Sequence, residues 1–129
     1  EAIGGTASGD QYALPTLMAE LVLREQGWQA TSLGVAIPVR SLAQAVHETR
    51  PALFWLSVSH LPDVPGFLSD FASLSRACTE RGAALVVGGR ALTPELRQQM
   101  TYSAFCDTMQ HLETFVATLQ RPARRRARE

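Results

Sequence analysis

The 129-residue sequence lacks several features that would identify a function directly. It has no apolar run long enough to span a bilayer, and its first residues do not place positive charge before an apolar stretch, as a signal peptide does. It contains no P-loop and no Rossmann glycine pattern, and no combination of nucleophile, base and orienting group. We therefore expect a cytoplasmic protein that has no membrane association and is not an enzyme.

Cysteine is scarce and the net charge is zero. Cys78 and Cys106 lie far apart and form no metal-type spacing, which predicts two buried thiols in a reducing cytoplasm. Lysine is absent, and the arginines divide the chain into residues 1–120, with a formal charge of −4, and residues 121–129, with +4. The folded part is therefore not expected to bind nucleic acid. Segment 121–129 is expected to be a disordered tail that contacts DNA phosphates or acidic partners, or only solubilises the chain.

Apolar strand patterns alternate with helical patterns along the whole chain. The predicted strands are residues 2–7, 28–33, 52–58, 83–87 and 102–105, and the predicted helices are residues 14–26, 39–49, 66–81, 94–99 and 109–120. Two of the strands, 52–58 and 83–87, are apolar on both faces, as central parallel strands are. This alternation predicts an α/β fold of the flavodoxin-like (Rossmann-like) type over residues 1–120. Its five-stranded parallel sheet would have the order 2-1-3-4-5, with helices on both faces.

The helical patterns also predict which side chains face the sheet. In the first helix these are Leu14, Leu17, Met18, Leu21 and Val22. In the last helix they are Leu112, Phe115, Val116 and Leu119. Because the first strand begins almost at residue 1, we expect the chain to be part of a longer protein.

Small residues cluster at the ends of three predicted strands, where α/β folds bind ligands. They are Gly4, Gly5, Ser8 and Gly9, then Ser57 and Ser59, then Gly88 and Gly89. Strand ends with few Cβ atoms allow a bulky group to lie flat against the backbone. In the first loop, Asp10 and Tyr12 add a carboxylate and a phenol, and Pro15 suits the first turn of the following helix.

The spacing of these residues is specific. Asp10-x-Tyr12-x-x-Pro15 precedes Ser57-Val58-Ser59, which precedes Gly88-Gly89. In register, this resembles the cobalamin (B12)-binding domain family, whose pattern is Asp-x-His-x-x-Gly, Ser-x-Leu and Gly-Gly. The resemblance covers about residues 1–120, and it is closest to the sensory domain of light- and cobalamin-responsive MerR-type transcriptional regulators.

The resemblance implies cobalamin as the cofactor and a role for several residues. Asp10 matches the acid that orients the cobalt-ligating histidine, and Ser57 matches the serine that lines the slot for the nucleotide tail. Gly88 and Gly89 match the pair that lets the benzimidazole pass close to the fourth strand. The full set of candidate cofactor-binding residues is Ser8, Asp10, Tyr12, Pro15, Ser57, Ser59, Gly88 and Gly89.

The chain departs from the family pattern at three positions. Tyr12 replaces the histidine, and a phenol with an ordinary pKa of about 10 is a poor cobalt ligand near neutral pH. Pro15 replaces a glycine and brings a ring where the tail needs room, while Ser59 replaces a leucine. We therefore expect no histidine-ligated cobalamin and assign no metal ligand; His60, just past Ser59, is the one nearby candidate.

Three functions follow from these observations. The first is a sensory domain of a transcriptional regulator that binds a corrinoid with the benzimidazole still on cobalt, or another flat tetrapyrrole such as haem. It would reach DNA only through a domain missing from this chain. The second is a ligand-free relative that acts as an oligomerisation or interaction module. The third, a cobalamin-carrying module of a methyltransferase or mutase, needs the histidine that Tyr12 replaces. The expected partners are the corrinoid or tetrapyrrole and a second copy of the chain.

Overall fold

Strands and helices alternate without exception over the part of the chain that the computed structural model describes, residues 2–6, 14–33, 38–61, 63–106 and 108–128. The strands are β1 (Ala2–Thr6), β2 (Ala30–Ser32), β3 (Leu53–Ser57), β4 (Ala84–Gly88) and β5 (Ala104–Phe105). The helices are α1 (Leu14–Glu25), α2 (Val39–Thr49), α3 (Val64–Arg81), α4 (Pro94–Arg97) and α5 (Met109–Arg128).

The five strands form one parallel sheet in the order β2-β1-β3-β4-β5. In the centre of the sheet, Ala2 of β1 pairs with Leu53 of β3, which pairs with Ala84 of β4. This order confirms the flavodoxin-like fold that the sequence predicts. The chain changes direction across the sheet between β1 and β3, and ligands of such folds bind outside the strand ends at this point.

The core has two layers, one on each face of the sheet. Alternate residues of β3 supply both, because successive side chains of a strand point to opposite faces. Phe54 and Leu56 pack with α2 and α3, whereas Leu53 and Trp55 pack with α1 and α5. All five residues of β3 are buried, as the two-sided apolar pattern predicts.

Most helix ends agree with the sequence because their capping residues are local signals. The Thr93 side chain accepts a hydrogen bond from the backbone N–H of Leu96 at the start of α4, and Gly82 ends α3 in the left-handed conformation. The α3 helix begins at Val64, two residues before its predicted start. There the Asp63 carboxylate accepts from the backbone N–H of Gly66 at 3.1 Å, and a proline in the first turn loses no helical hydrogen bond.

The predicted inner face of α1 is wrong for three of its five residues; Val22 packs against the core as predicted, and the side chain of Leu14 lies outside the described residues. Leu17, Met18 and Leu21 are 51%, 41% and 58% exposed, and the buried residues are Ala19 and Leu23. Apolar residues occupy more than one face of α1, so their spacing alone does not fix how the helix is rotated.

Two polar contacts explain the observed rotation of α1. Glu20 accepts a hydrogen bond from the backbone N–H of Ser32 at 2.7 Å, and the Arg24 Nε donates to the Ala30 carbonyl at 3.0 Å. Both contacts turn the side of the helix that carries Glu20 and Arg24 toward β2. Leu17 and Leu21 are left facing away from the sheet.

The remaining differences are confined to element ends. β2 and β5 have 3 and 2 residues, fewer than predicted, because each is an edge strand with one neighbour to pair with. In α5, Leu112 and Val116 are buried as predicted. The helical backbone of α5 continues to Arg128, past the predicted end at residue 120. The domain boundary at residue 120 stays a prediction. Within the described ranges no helix combines the length and the apolar character that crossing a membrane requires.

Candidate functional site

A pocket of about 390 Å³ lies at the carboxyl ends of β3 and β4, between α1 and the start of α5. Its apolar wall includes Trp55 from β3, Val86 from β4 and Leu112 from α5. The sequence predicts a ligand site at this edge of the sheet. The pocket is therefore the candidate site, and its lining can be built up from the strand ends.

The indole of Trp55 forms part of the wall because β1 leaves room for it. Gly4 lies beside Trp55 in the neighbouring strand, and a Cβ atom at Gly4 would overlap the Trp55 side chain and carbonyl. Trp55 is only 2% exposed although it lines the pocket. The glycine in β1 thus positions a large aromatic side chain within the wall.

Four of the predicted site residues line this pocket together. Ser57 and Gly88 are the last residues of β3 and β4, and Ser59 and Gly89 lie in the loops that follow these strands. Ser57 is the one polar residue that is buried among the described residues. The structure therefore brings two of the three matched motifs into one pocket, although residues 57–59 and 88–89 are far apart in sequence.

The other predicted site residues cannot be compared in the same way. Ser8, Asp10 and Tyr12 lie outside the described residues. Pro15 is the second residue of α1, within the first helical turn as expected. The ligand-binding roles of these four residues stay predictions.

The glycine pair has a backbone explanation that needs no ligand. Gly89 has a φ of 120°, and a Cβ atom there would overlap the backbone of Val58. A Cβ atom at Gly88 would lie 2.5 Å from the carbonyl oxygen of Cys106. The loops after β3 and β4 are also joined, because the N–H of Val58 donates to the Gly88 carbonyl at 2.8 Å. The two glycines thus allow three strand ends to meet, and the same bare backbone lines the pocket.

The sequence analysis missed the lining residues that follow Gly89 and β5. Arg90 comes directly after the glycine pair, and Cys106, Thr108 and Met109 come after β5. Pairing of β5 with β4 brings this segment to the pocket. The predicted strand order could have indicated these lining residues, because it places β5 next to β4. Arg90 is the one charged residue among the described residues of the lining.

The two cysteines differ in their surroundings. Cys78 is buried within the α3 side of the core, and burial raises the pKa of its thiol from the ordinary 9.0 to about 12. Cys106 is only half-buried and lines the pocket. The prediction of two buried thiols is therefore right for Cys78 and wrong for Cys106, because β5 is an edge strand that the helices cover incompletely.

Imidazole is absent from the described lining of the pocket. His60 is exposed and lies next to Ser59 without itself lining the pocket, so its assignment as a metal ligand stays a prediction. Across the residues that the structure describes, histidine, cysteine and carboxylate side chains form no cluster of three or more that could hold a metal ion.

The pocket can be tested against the cofactor that the resemblance implies. A flat aromatic base with a polar arm suits an apolar wall, a bare glycine backbone and the hydroxyls of Ser57 and Ser59. A cobalt ion would find no nitrogen ligand among the described lining residues. The pocket therefore fits the nucleotide arm of a corrinoid, but not the metal ligand of the family pattern.

Sequence comparison identifies no family: no family model matches the chain, and no curated protein matches it either. The similarity to known proteins lies in the fold.

Three solved structures share this fold. The monomethylamine corrinoid protein of Methanosarcina barkeri matches with a TM-score of 0.78 and 15% identity over 92% of this chain. A cobalamin-binding protein from Desulfitobacterium hafniense DCB-2 matches with a TM-score of 0.78 and 15% identity over 91%. The methanol:cobalamin methyltransferase complex of M. barkeri gives a TM-score of 0.74 and 16% identity over 92%.

The chain spans only part of these three structures, 57%, 57% and 45% of their chains. At such low identity the match concerns the path of the backbone and not the residues of the site. The sequence analysis and the comparisons thus lead to the same architecture by independent routes: this chain has the fold found in structures of corrinoid and cobalamin-binding proteins.

Proposed function

We propose that this domain binds a corrinoid and places the nucleotide arm of the cofactor in the pocket beside Trp55. The observation that carries the proposal is the meeting of Ser57 and Ser59 with Gly88 and Gly89 in one pocket. Ser57, Gly88 and Gly89 match the second and third motifs of the cobalamin-binding family, and Ser59 occupies the position where the second motif has leucine. The fold shared with corrinoid-protein structures supports the same conclusion.

Different residues of the pocket would contact different parts of the nucleotide arm. The bare backbone at Gly88 and Gly89 allows a planar base to approach β4, and Trp55 and Val86 offer it an apolar surface. Ser57, which is buried, would supply a hydroxyl that can both donate and accept a hydrogen bond. A benzimidazole held there would not be available as a ligand to cobalt, and no described lining residue would offer an imidazole in its place.

Cobalt supplies the ligand-exchange and redox chemistry of a bound corrinoid. We propose that this domain uses the cofactor for sensing within a transcriptional regulator and not for catalysis. Tyr12, which stands where the family has its histidine, supports this choice. The alternative of a corrinoid-carrying module has one observation in its favour, since a matched structure is a methyltransferase complex.

Retention of colour tests the proposal. The protein is incubated with hydroxocobalamin or adenosylcobalamin and desalted, and we expect a retained corrinoid whose spectrum shows the benzimidazole displaced from cobalt. Ser59→Trp would fill the rim of the pocket and weaken binding about tenfold or more. Ser69→Trp, on the exposed side of α3, is the matched control and should bind like the original protein. Both variants should keep the thermal midpoint.

Two results would count against corrinoid binding in the pocket. A folded protein that retains no corrinoid would favour the ligand-free interaction module. Retention with the benzimidazole still on cobalt, unaffected by Ser59→Trp, would place the ligand elsewhere. A Tyr12→His variant that gains a histidine-ligated spectrum would show that the site accepts the metal ligand of the carrier proteins.

A further inference from the structure

The pocket is apolar inside and carries its charge at one place on the rim. Among its described lining residues, hydroxyl groups and apolar side chains are neutral, and Arg90 alone is charged. Arg90 is exposed to solvent, while Trp55 and Val86 on the wall are buried. A ligand complementary to this pocket has an uncharged aromatic end that lies inside and an anionic group that lies at the rim, near Arg90.

The backbone on both sides of Arg90 is held in place. The N–H of Leu92 donates to the Gly89 carbonyl at 3.2 Å and closes a tight turn around Arg90. The N–H of Ala91 donates to the Val58 carbonyl at 3.1 Å and ties this turn to the loop after β3. The Cα of Arg90 is therefore fixed relative to both strand ends, which reduces the entropy lost when its side chain engages a ligand.

The guanidinium of Arg90 has no competing carboxylate in the part of the chain that the structure describes. Three other arginines there are engaged: Arg24 pairs with Glu20, Arg40 pairs with Asp70, and Arg97 lies over the ring of Phe105. Arg90 forms no such contact with a described residue. Its planar set of N–H donors matches two oxygens of a phosphate group at once.

We propose that Arg90 is the specificity-determining residue of the pocket and selects ligands by a phosphate or phosphodiester group at the rim. This inference rests on the proposed function, because the phosphodiester would be that of the corrinoid nucleotide arm. It makes a distinction that the pocket shape alone does not make. A complete cobalamin is held through its phosphodiester, whereas a corrinoid that lacks the nucleotide arm has no phosphate group for Arg90 to bind.

Two pairs of ligands test this inference. The first pair is cobalamin and cobinamide, which lacks the nucleotide arm. The second pair contains no cobalt: the dimethylbenzimidazole ribonucleotide and the ribonucleoside without its phosphate. Titration calorimetry at low salt should show that the phosphate-bearing member of each pair binds about tenfold or more tightly. Raising the salt concentration should reduce this preference, because the contact is at the exposed rim.

Three variants identify the residue responsible. Arg90→Gln should reduce the nucleotide-to-nucleoside affinity ratio to about one and leave nucleoside binding unchanged. Arg90→Lys should restore part of the ratio, because a point charge replaces a planar fork. Arg76→Gln removes another exposed arginine on α3, away from this pocket, and should behave like the original protein. Thermal midpoints should be equal, since neither arginine is buried.

The outcomes separate this inference from the proposed function. Loss of the nucleotide preference in Arg90→Gln, but not in Arg76→Gln, supports the inference. If no cobalamin is retained in that case, only the corrinoid assignment fails. Cobalamin bound equally well by the original protein and by Arg90→Gln overturns the inference and leaves corrinoid binding intact. Equal effects of Arg90→Gln and Arg76→Gln, or no binding of any of the four ligands, also overturn it.

Discussion

The two helical layers of this domain differ in how far their apolar side chains are buried. On one face of the sheet, α2 and α3 bury Leu42, Val46, Phe71 and Leu74 completely or almost completely. On the other face, α1 buries Ala19 and Leu23 but leaves Leu17, Met18 and Leu21 exposed. Among the described residues, the α2–α3 layer has one exposed large apolar side chain, Val64, and a smaller cavity of about 220 Å³ beside Phe71. We call this the closed layer, and the α1–α5 layer, with three such exposed side chains, the open layer.

The candidate site belongs to the open layer. Met18 and Ala19 of α1 and Met109 and Leu112 of α5 line the pocket at the ends of β3 and β4. Ligand pockets need unfilled apolar space, and such space forfeits packing energy. The comparison therefore indicates that the α2–α3 layer provides most of the stability, while the α1–α5 layer keeps room for a ligand.

The largest expected effect comes from two leucines on opposite layers. Leu74→Ala in α3 removes a fully buried side chain, and we expect a loss of about 3 kcal/mol in the free energy of unfolding. Leu21→Ala in α1 makes the same chemical change at an exposed position and should cost less than about 0.5 kcal/mol. Urea denaturation with an unchanged m-value measures both. Equal losses would mean that α1 packs against a partner and that the layers are alike.

A second pair tests the glycines of the site against a glycine of the closed layer. Gly89 and Gly82 both have positive φ, at 120° and 69°. A Cβ atom at Gly82 meets nothing within 4 Å, whereas one at Gly89 overlaps Val58. We expect Gly82→Ala to cost about 1 kcal/mol and Gly89→Ala about 2 kcal/mol or more. If the two cost the same in thermal unfolding, the loops after β3 and β4 adapt to each other and the pocket is less rigid than described.

The closed layer was also the easier one to predict. Four of the five residues of β3 are apolar, on both faces of the strand, so burial of Leu53–Leu56 could be inferred from the sequence alone. The end of α3 could be predicted from Gly82, and the start of α4 from Thr93 before Pro94, because a cap depends on residues close in sequence. These features are encoded locally, and the strand order followed from them through the handedness of parallel connections.

The open layer could not be predicted in the same detail. The rotation of α1 depends on Glu20 and Arg24 reaching the backbone of β2, which are contacts between separate elements. Likewise, Arg90 and Cys106 reach the pocket only because the loops after β4 and β5 converge there. Residues 57–59 and 88–89 were found because they match motifs, but the neighbours that complete the pocket have no motif of their own.

The two layers should also differ in the reactivity of their thiols toward a labelling reagent. Cys106 lines the pocket, and Cys78 lies in the closed layer with a pKa that burial raises to about 12. A thiol-specific reagent at pH 8 should therefore label one cysteine, Cys106, in the folded protein. The Cys106→Ser variant should show no labelling while folded, and a ligand in the pocket should slow the labelling of the original protein. Cys78 should react only after unfolding.

The raised pKa of Cys78 also predicts a pH dependence of stability. The folded thiol stays neutral between its unfolded pKa of about 9 and its folded pKa of about 12, whereas the unfolded thiol ionises in this range. The contribution of Cys78 to stability is thus fully present below pH 9 and decreases as the pH rises toward 12. Cys78→Ala should remove this component, so its unfolding free energy should fall less between pH 9 and pH 11 than that of Cys106→Ala. Parallel losses in the two variants would show that solvent reaches the closed layer as readily as the pocket.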